Sequence, residues 1–228
     1  MRKSSLVLLS GGLDSFACLH WASLHTDLVC GLSIDYGQKA AAKEIEAAAK
    51  ICAAYDIKHK VLELPFFSQF TSSSLIGSQA IVPELSVDEL DNQVMTKQSA
   101  KSVWVPNRNG ILINIAAGIA ENEQIDSVLV GFNAEEAATF PDNSAEFAKS
   151  VSEALSYSTR NQVKVLAPMA EKVKADIVAW LMDELVDLSL LWSCYLGDEK
   201  MCGSCESCQR LKRALVKSGG ESWIAKLF

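Results

Sequence analysis

Short apolar runs alternate with longer amphipathic stretches over most of the chain. The short runs are typical of buried strands, and the longer ones, rich in Ala, Lys, Glu and Leu, are typical of helices. Strands are predicted over residues 6–9, 28–34, 59–64, 127–130 and 163–167. Helices are predicted over residues 13–24, 39–55, 110–121, 144–157, 172–186 and 206–217. This alternation predicts an α/β fold, a doubly wound, five-stranded parallel sheet with helices on both faces.

Residues 66–106 interrupt the alternation. This stretch is polar and irregular, with three consecutive serines at positions 72–74 and scattered acidic residues. Long excursions of this kind often act as lids or binding loops. We therefore expect an irregular excursion beside a binding site.

The composition is ordinary for a globular protein: of 228 residues, 49% are hydrophobic and 21% are charged. We expect a main domain over residues 1–190 and a C-terminal segment, residues 191–228, packed on it. The formal net charge of −7 disfavours a broad nucleic-acid footprint. No apolar run reaches the ~18–20 residues of a membrane span. We therefore expect neither nucleic acid nor membrane as a partner.

Four of the seven cysteines form the pattern Cys194-x7-Cys202-x2-Cys205-x2-Cys208. An odd total fits poorly with a complete disulfide framework and favours a cytoplasmic protein. Four thiolates suit a tetrahedral Zn²⁺ with every position filled, which is a structural site. An iron–sulfur cluster or disulfides would also use these cysteines, and both alternatives stay open.

Ligands of parallel sheets bind at the carboxyl ends of the strands. In this chain the segments that follow strand ends are residues 10–15, residues 35–38, and the segments that begin at residues 131 and 168. The first of these reads Ser10-Gly11-Gly12-Leu13-Asp14-Ser15. Its glycines allow close approach of a phosphate, and the start of a helix favours an anion. A carboxylate beside phosphates indicates a bridging Mg²⁺ at Asp14. The alternative is a plain turn with Asp14 as a helix-start residue.

The same hexapeptide resembles the PP-loop of the N-type ATP pyrophosphatases, which holds the pyrophosphate end of ATP. Together with the four cysteines, it makes the chain similar to the 7-cyano-7-deazaguanine synthases, the QueC family, with a pattern most like the archaeal branch. Further matching segments are Asp35-Tyr36-Gly37-Gln38, Val105-Pro106-Asn107-Arg108-Asn109, Phe140-Pro141-Asp142, and Pro168-Met169 followed by Lys174. The resemblance covers nearly the whole chain.

This resemblance implies an ATP-dependent ligase of the queuosine and archaeosine pathways, acting as a homodimer. It would convert 7-carboxy-7-deazaguanine and ammonia to 7-cyano-7-deazaguanine (preQ0) through adenylated intermediates, with ATP, Mg²⁺ and Zn²⁺. A first alternative is a related ligase that transfers the activated carboxylate to another amine, such as a protein N-terminus; the altered loop at residues 138–144 leaves it open. A tRNA-modifying PP-loop enzyme and a non-catalytic nucleotide-binding module are further alternatives.

The resemblance also suggests a role for each matching residue. The nucleotide would contact Ser10, Gly11, Gly12, Leu13, Asp14, Ser15, Asp35 and Gln38. The catalytic residues would be Asp14, Arg108 and Lys174, the last two as cations for phosphate or for the substrate carboxylate. The base would be bound by Arg108, Asn109, Phe140 and Asp142, with Asp142 accepting its N–H groups, Phe140 stacking on it, and Glu135 or Glu136 as the fallback acceptor.

Four of these residues also have simpler interpretations. Asp35 could serve only as a turn former and Phe140 as a core aromatic, and Arg108 and Lys174 could form ordinary surface ion pairs. Elsewhere, Trp192 is predicted to lie in the core. The basic stripe on the last helix is predicted to face solvent or a dimer partner; it comprises Arg210, Lys212, Arg213 and Lys217.

Overall fold

A computed structural model describes residues 2–77 and 81–228. Its single sheet is built from β1 (Ser4–Leu8), β2 (Asp27–Asp35), β3 (Lys58–Glu63), β4 (Ser127–Leu129) and β5 (Lys164–Leu166). All pairings are parallel, and the strand order is β3-β2-β1-β4-β5. The predicted five-stranded parallel sheet is therefore confirmed.

The helices are α1 (Leu13–His25), α2 (Ala41–Ala54), α3 (Gln93–Val103), α4 (Arg108–Asn122), α5 (Ala134–Ala137), α6 (Ala145–Ser158), α7 (Lys174–Asp183), α8 (Glu206–Lys217) and α9 (Ile224–Leu227). None of them, within the described part of the chain, has the length and apolar character needed to cross a bilayer.

Two hydrophobic clusters cover the two faces of the sheet. Because side chains alternate along a strand, Leu6 of β1 packs into one cluster and Val7 into the other. The cluster around Leu6 contains residues of α4 and α6. The cluster around Val7 contains residues of α1, α2, α7 and α8. Residues at the carboxyl ends of β1, β2 and β4, namely Leu9, Ile34 and Val130, line one cavity.

The excursion over residues 66–106 is less irregular than predicted. It contains α3 and two short 3-10 helices, Phe67–Gln69 and Asp88–Asp91. The side chain of Asn92 caps α3 by accepting hydrogen bonds from the backbone N–H groups of Val94 and Met95. The expectation of a structureless stretch was wrong because α3 buries small residues such as Ser99 and Ala100, which give only a weak apolar periodicity.

The C-terminal segment shares a core with the main sheet. Cys208, Leu211 and Leu215 are buried in the same cluster as α1. The backbone N–H of Trp192 donates to the carbonyl oxygen of Gly11 at 2.8 Å, so the segment also touches the glycine-rich loop directly. The division at residue 190 stays a prediction.

Candidate active site

The glycine-rich loop joins β1 to α1 and presents the start of that helix. Gly11 has a φ of +77°, and a Cβ there would lie 2.8 Å from both the Ala47 Cβ and the Glu44 carbonyl oxygen. Gly12 occupies the N-cap position, where no described side chain caps the helix. The first backbone N–H groups of a helix lack intrahelical acceptors, so this loop suits an anion. The hydroxyls of Ser10 and Ser15 lie 3.1 Å apart beside it.

Gly131, two residues after the end of β4, packs against the glycine-rich loop. A Cβ at this position would lie 2.6 Å from the Asp14 carbonyl carbon and from the Ser15 backbone nitrogen. The segment after β4 and the loop are thus in close backbone contact. The segment from residue 131 is a predicted site segment, but this packing role has no signal in the sequence.

Lys174, the first residue of α7, lies between two carboxylates. Its Nζ is 2.5 Å from Asp14 Oδ2 and 2.9 Å from Glu136 Oε1, and its side chain is buried. Burial raises the pKa of Asp14 to about 6 even though Lys174 acts to lower it. Burial disfavours the charged form of Lys174, but attraction to Asp14 and Glu136 outweighs this effect and raises its pKa. Lys174 therefore forms ion pairs with both Asp14 and Glu136.

The other carboxylate oxygen of Asp14 is a candidate metal ligand. Asp14 Oδ1 is buried and has no hydrogen-bond partner among the described residues. Buried polar atoms are normally paired, so an unpaired carboxylate oxygen beside an anion-binding loop fits a divalent cation. Lys174 contacts only Oδ2, which leaves Oδ1 available.

Arg108 lies at the start of α4, after Asn107 in the left-handed conformation with a φ of 52°. Its Nε donates to Asn109 Oδ1 at 3.1 Å, and its guanidinium also reaches the Tyr36 hydroxyl at 3.4 Å. Asn109 Nδ2 donates to the carbonyl oxygen of Asp142 at 3.1 Å. Burial raises the pKa of Asp142, although Arg108 acts to lower it. These polar groups, called the polar wall below, line the same cavity as the glycine-rich loop.

Two aromatic rings lie beside this wall. The rings of Trp104 and Phe140 are parallel within 3°, and their centroids are 6.0 Å apart. Both side chains are half-buried and line the cavity. Phe140 therefore lines the cavity and also packs against the hydrophobic cluster around Leu6.

A cavity of about 270 Å³ connects the loop to the polar wall and the aromatic rings. It brings together most of the predicted site residues: Ser10, Gly12, Leu13, Asp14, Ser15, Gln38, Arg108, Asn109, Phe140, Asp142 and Lys174. Gly11 and Asp35 lie outside the lining. Asp35 Oδ1 accepts the backbone N–H of Gly37 at 2.9 Å, the contact expected of a turn former.

Sequence reasoning missed several residues that line the cavity, among them Glu44, Trp104, Trp192, Glu206 and Arg210. Trp192, predicted to lie in the core, forms part of the cavity wall because the C-terminal segment crosses the glycine-rich loop. Glu44 accepts a hydrogen bond from Gln38 Nε2 at 2.8 Å. No local signal marks these residues, because their place depends on distant elements.

The basic stripe of α8 does not face solvent as a whole. Arg210 donates to Glu206 Oε1 at 2.7 Å, and Arg213 pairs with Asp91 at 2.8 Å and with Glu135 at 3.2 Å. The prediction of a solvated face was wrong for these two arginines, because the excursion and α5 place acidic residues against them. These contacts hold the excursion against the C-terminal segment.

The four cysteines form one compact cluster in which all four sulfur atoms lie within 4.8 Å of one another. Cys202 Sγ and Cys208 Sγ are 3.9 Å apart, which compares with the edge of about 3.8 Å expected for thiolates tetrahedrally bound to one zinc. The backbone N–H groups of Leu196 and Cys202 donate to Cys194 Sγ at 3.3 and 3.4 Å. Such bonds favour the thiolate form that a metal requires, so the cluster could hold a metal ion.

Sequence comparisons show that the chain belongs to the QueC family. The family model for "Queuosine biosynthesis protein QueC" matches residues 4–219. The chain is 48% identical to a 7-cyano-7-deazaguanine synthase from Desulforamulus reducens over 95% of both chains. It is 49% identical to one from Bdellovibrio bacteriovorus over 95% of this chain and 94% of that one, and 44% identical to one from Methanosarcina barkeri over 94% of each. Among solved structures, an NH3-dependent NAD synthetase from Campylobacter jejuni covers 100% of this chain and 80% of its own, with 13% identity and a TM-score of 0.46.

Proposed function

Because the chain belongs to the QueC family, we propose that it converts 7-carboxy-7-deazaguanine and ammonia to 7-cyano-7-deazaguanine at the expense of ATP. The observation that carries this proposal is the match over nearly the full length to relatives of that name. The cavity supports it, because the glycine-rich loop and the polar wall line the same space. The relatives do not favour transfer of the carboxylate to another amine.

The chemistry requires two activations, because a carboxylate is a poor electrophile and hydroxide is a poor leaving group. First, a carboxylate oxygen attacks the α-phosphorus of ATP, and pyrophosphate leaves. Ammonia then attacks the acyl carbon, AMP leaves with that oxygen, and loss of a proton gives the amide. The amide oxygen then attacks the α-phosphorus of a second ATP, and a second pyrophosphate leaves. Loss of AMP with that oxygen, and of the two nitrogen-bound protons, gives the nitrile. Both carboxylate oxygens therefore end in AMP.

The protein supplies position and charge for these steps. The loop from Ser10 to Ser15 would cradle the pyrophosphate with backbone N–H groups. Mg²⁺ held by Asp14 Oδ1 would neutralise charge on the phosphates. Lys174 and Arg108 would stabilise the negative charge that develops on the departing pyrophosphate or on the substrate carboxylate. This assignment is consistent with the burial of Lys174 and with its two carboxylate partners.

The base would bind at the polar wall. Guanine-type bases present adjacent N–H donors, and one carboxylate can accept both. We assign this acceptor to Asp142 and the stacking surface to Phe140, with Asn109 holding the Asp142 backbone in place. Glu136, the fallback acceptor, is already engaged by Lys174 at 2.9 Å and is therefore the weaker choice. Asp35 and Gln38 would shape the nucleotide end of the site.

We assign the four-cysteine cluster to a structural Zn²⁺, since the sulfur separations suit a single tetrahedral ion. The ion would fasten residues 194–205 to the start of α8, next to the glycine-rich loop. By reaction class the enzyme is a ligase that forms carbon–nitrogen bonds. The family resemblance further predicts a homodimer, which light scattering of the purified protein would test.

The direct test is an incubation with ATP, Mg²⁺, ammonium and 7-carboxy-7-deazaguanine, read by mass spectrometry. We expect the nitrile and AMP from the wild-type protein and neither from Asp14→Ala. A stable amide conjugate with an added amine would instead support the alternative ligase. Absence of substrate-dependent AMP would refute the proposal.

A further inference from the structure

Trp104 is a cavity residue with no role in the activation chemistry. It follows α3 at the end of the excursion and is half-buried against the cavity. Its ring is parallel to that of Phe140, with 3° between the planes and 6.0 Å between the centroids. The two residues come from segments 36 positions apart, so the parallel arrangement is a feature of the tertiary structure.

The spacing of the two rings limits what can lie between them. A base between two aromatic rings requires about 7 Å between their planes, twice a contact distance of ~3.5 Å. Parallel rings whose centroids are 6.0 Å apart have planes at most 6.0 Å apart, so the planes must separate by at least about 1 Å for a base to enter. Asn109 Nδ2 donates to the Asp142 carbonyl oxygen and so links the segments that carry the two rings.

The polar groups beside the rings suit the edge of such a base. Arg108 and Asn109 follow Trp104 by four and five residues, and Asp142 follows Phe140 by two. All three polar side chains line the same cavity as the two rings. A base held between the rings would present its edge to these donors and acceptors.

The excursion that carries Trp104 is fastened at several points. Ser204 Oγ donates to Glu84 at 2.9 Å, and the Ser99 hydroxyl donates to Glu206. Nearer to Trp104, the backbone N–H of Ser74 donates to the Ser102 carbonyl oxygen at 2.8 Å. These contacts anchor the excursion, so the separation of the rings that a base requires must come from movement on the Phe140 side.

We infer that Trp104 and Phe140 form an aromatic clamp that holds the planar base of the substrate between them, which makes Trp104 a determinant of affinity for fused-ring bases. The inference rests on the proposed function for the identity of that base. Stacking on an aromatic side chain contributes ~1–3 kcal/mol per base, which corresponds to roughly 5- to 150-fold in affinity.

The test compares Trp104→Leu with Trp104→Phe in the full chain, by calorimetric titration with 7-carboxy-7-deazaguanine and, separately, with ATP. For Trp104→Leu we expect the dissociation constant of the deazapurine to rise about 5- to 150-fold, with ATP affinity unchanged. Trp104→Phe, which keeps an aromatic face, should restore most of the affinity. Trp223→Leu removes a tryptophan whose ring contacts Lys226 outside the cavity, and it should bind like the wild type.

The possible results distinguish failure of the aromatic clamp from failure of the proposed function. Wild-type affinity for the deazapurine in Trp104→Leu refutes the clamp and leaves the proposed function intact. Equal losses in the Leu and Phe variants, or an equal loss of ATP affinity, also refute it, because they indicate a general structural role. Failure of the wild-type protein to bind 7-carboxy-7-deazaguanine refutes the proposed function itself.

Discussion

Substitution of Gly131 by alanine tests whether the position of the glycine-rich loop controls activity. The added Cβ would lie 2.6 Å from the Asp14 carbonyl carbon, 2.6 Å from the Ser15 backbone nitrogen and 2.8 Å from the Asp14 carbonyl oxygen. All three contacts are with backbone atoms, so no side chain can rotate away to relieve them. The loop or the end of β4 must move.

The size of the effect follows from these distances. Carbon atoms in contact prefer ~3.5 Å, so the backbone must shift by about 1 Å. Overpacking of this kind costs about 1–3 kcal/mol of folding free energy. A misplacement of about 1 Å at a reacting centre lowers the rate on the order of 10²-fold. We therefore expect a folded protein with strongly reduced AMP formation.

Steady-state release of AMP measures the activity, and thermal unfolding measures the stability. Gly118→Ala is the matched control, because a Cβ at this exposed position of α4 would meet no described atom within 4 Å. Gly118→Ala should keep full activity and gain ~0.5–1 kcal/mol of stability. A kcat/KM within twofold of wild type for Gly131→Ala would contradict the reasoning.

Three further predictions concern the ion-paired residues Asp14, Glu136 and Lys174 and the four-cysteine cluster. Lys174→Met removes the cation shared by the mostly buried Asp14 and the partly exposed Glu136. Urea unfolding at pH 7 should then show a loss of about 3 kcal/mol, the low end of the range for a broken buried pair, and an unchanged midpoint would contradict the ion pairing. Burial holds the pKa of Asp14 at about 6, above its usual 3.8. The protonated form of Asp14 therefore stabilises the folded protein below about pH 4, and this contribution is lost as the pH rises through 6. Urea unfolding without Mg²⁺ should therefore show the wild type losing stability relative to Asp14→Asn between pH 4 and 7, whereas a constant difference would refute the raised pKa. Cys205→Ser should lose bound metal in elemental analysis and unfold at lower temperature, while Cys52→Ala, outside the cluster, should retain its metal; equal metal content in both variants would exclude the cluster as the metal site.

The features that the sequence predicts well are those built from neighbouring residues. Each strand and the helix after it form one local unit, so their alternation was sufficient to predict the parallel sheet. The loop from Ser10 to Ser15 and the cluster from Cys194 to Cys208 are each encoded in one short stretch. In such stretches the spacing of the functional residues, and therefore the chemistry it allows, can be read directly from the sequence.

The features that escaped prediction depend on distant segments that meet only in the folded chain. Trp104 and Phe140 become parallel because the excursion folds over the end of the sheet. Arg213 turns from an expected surface residue into an ion-pair partner because Asp91 and Glu135 pack against it. Helix α3 was missed because its buried face is made of small residues, which give little periodic signal.

The most direct test of the central claim follows the two oxygens of the substrate carboxylate. The protein is incubated with ATP, Mg²⁺, ammonium and 7-carboxy-7-deazaguanine labelled with ¹⁸O at both carboxylate positions. Two adenylations predict two molecules of AMP per nitrile, each carrying one ¹⁸O atom. Label in inorganic phosphate together with ADP, or a single labelled AMP per molecule of final product, would contradict the account.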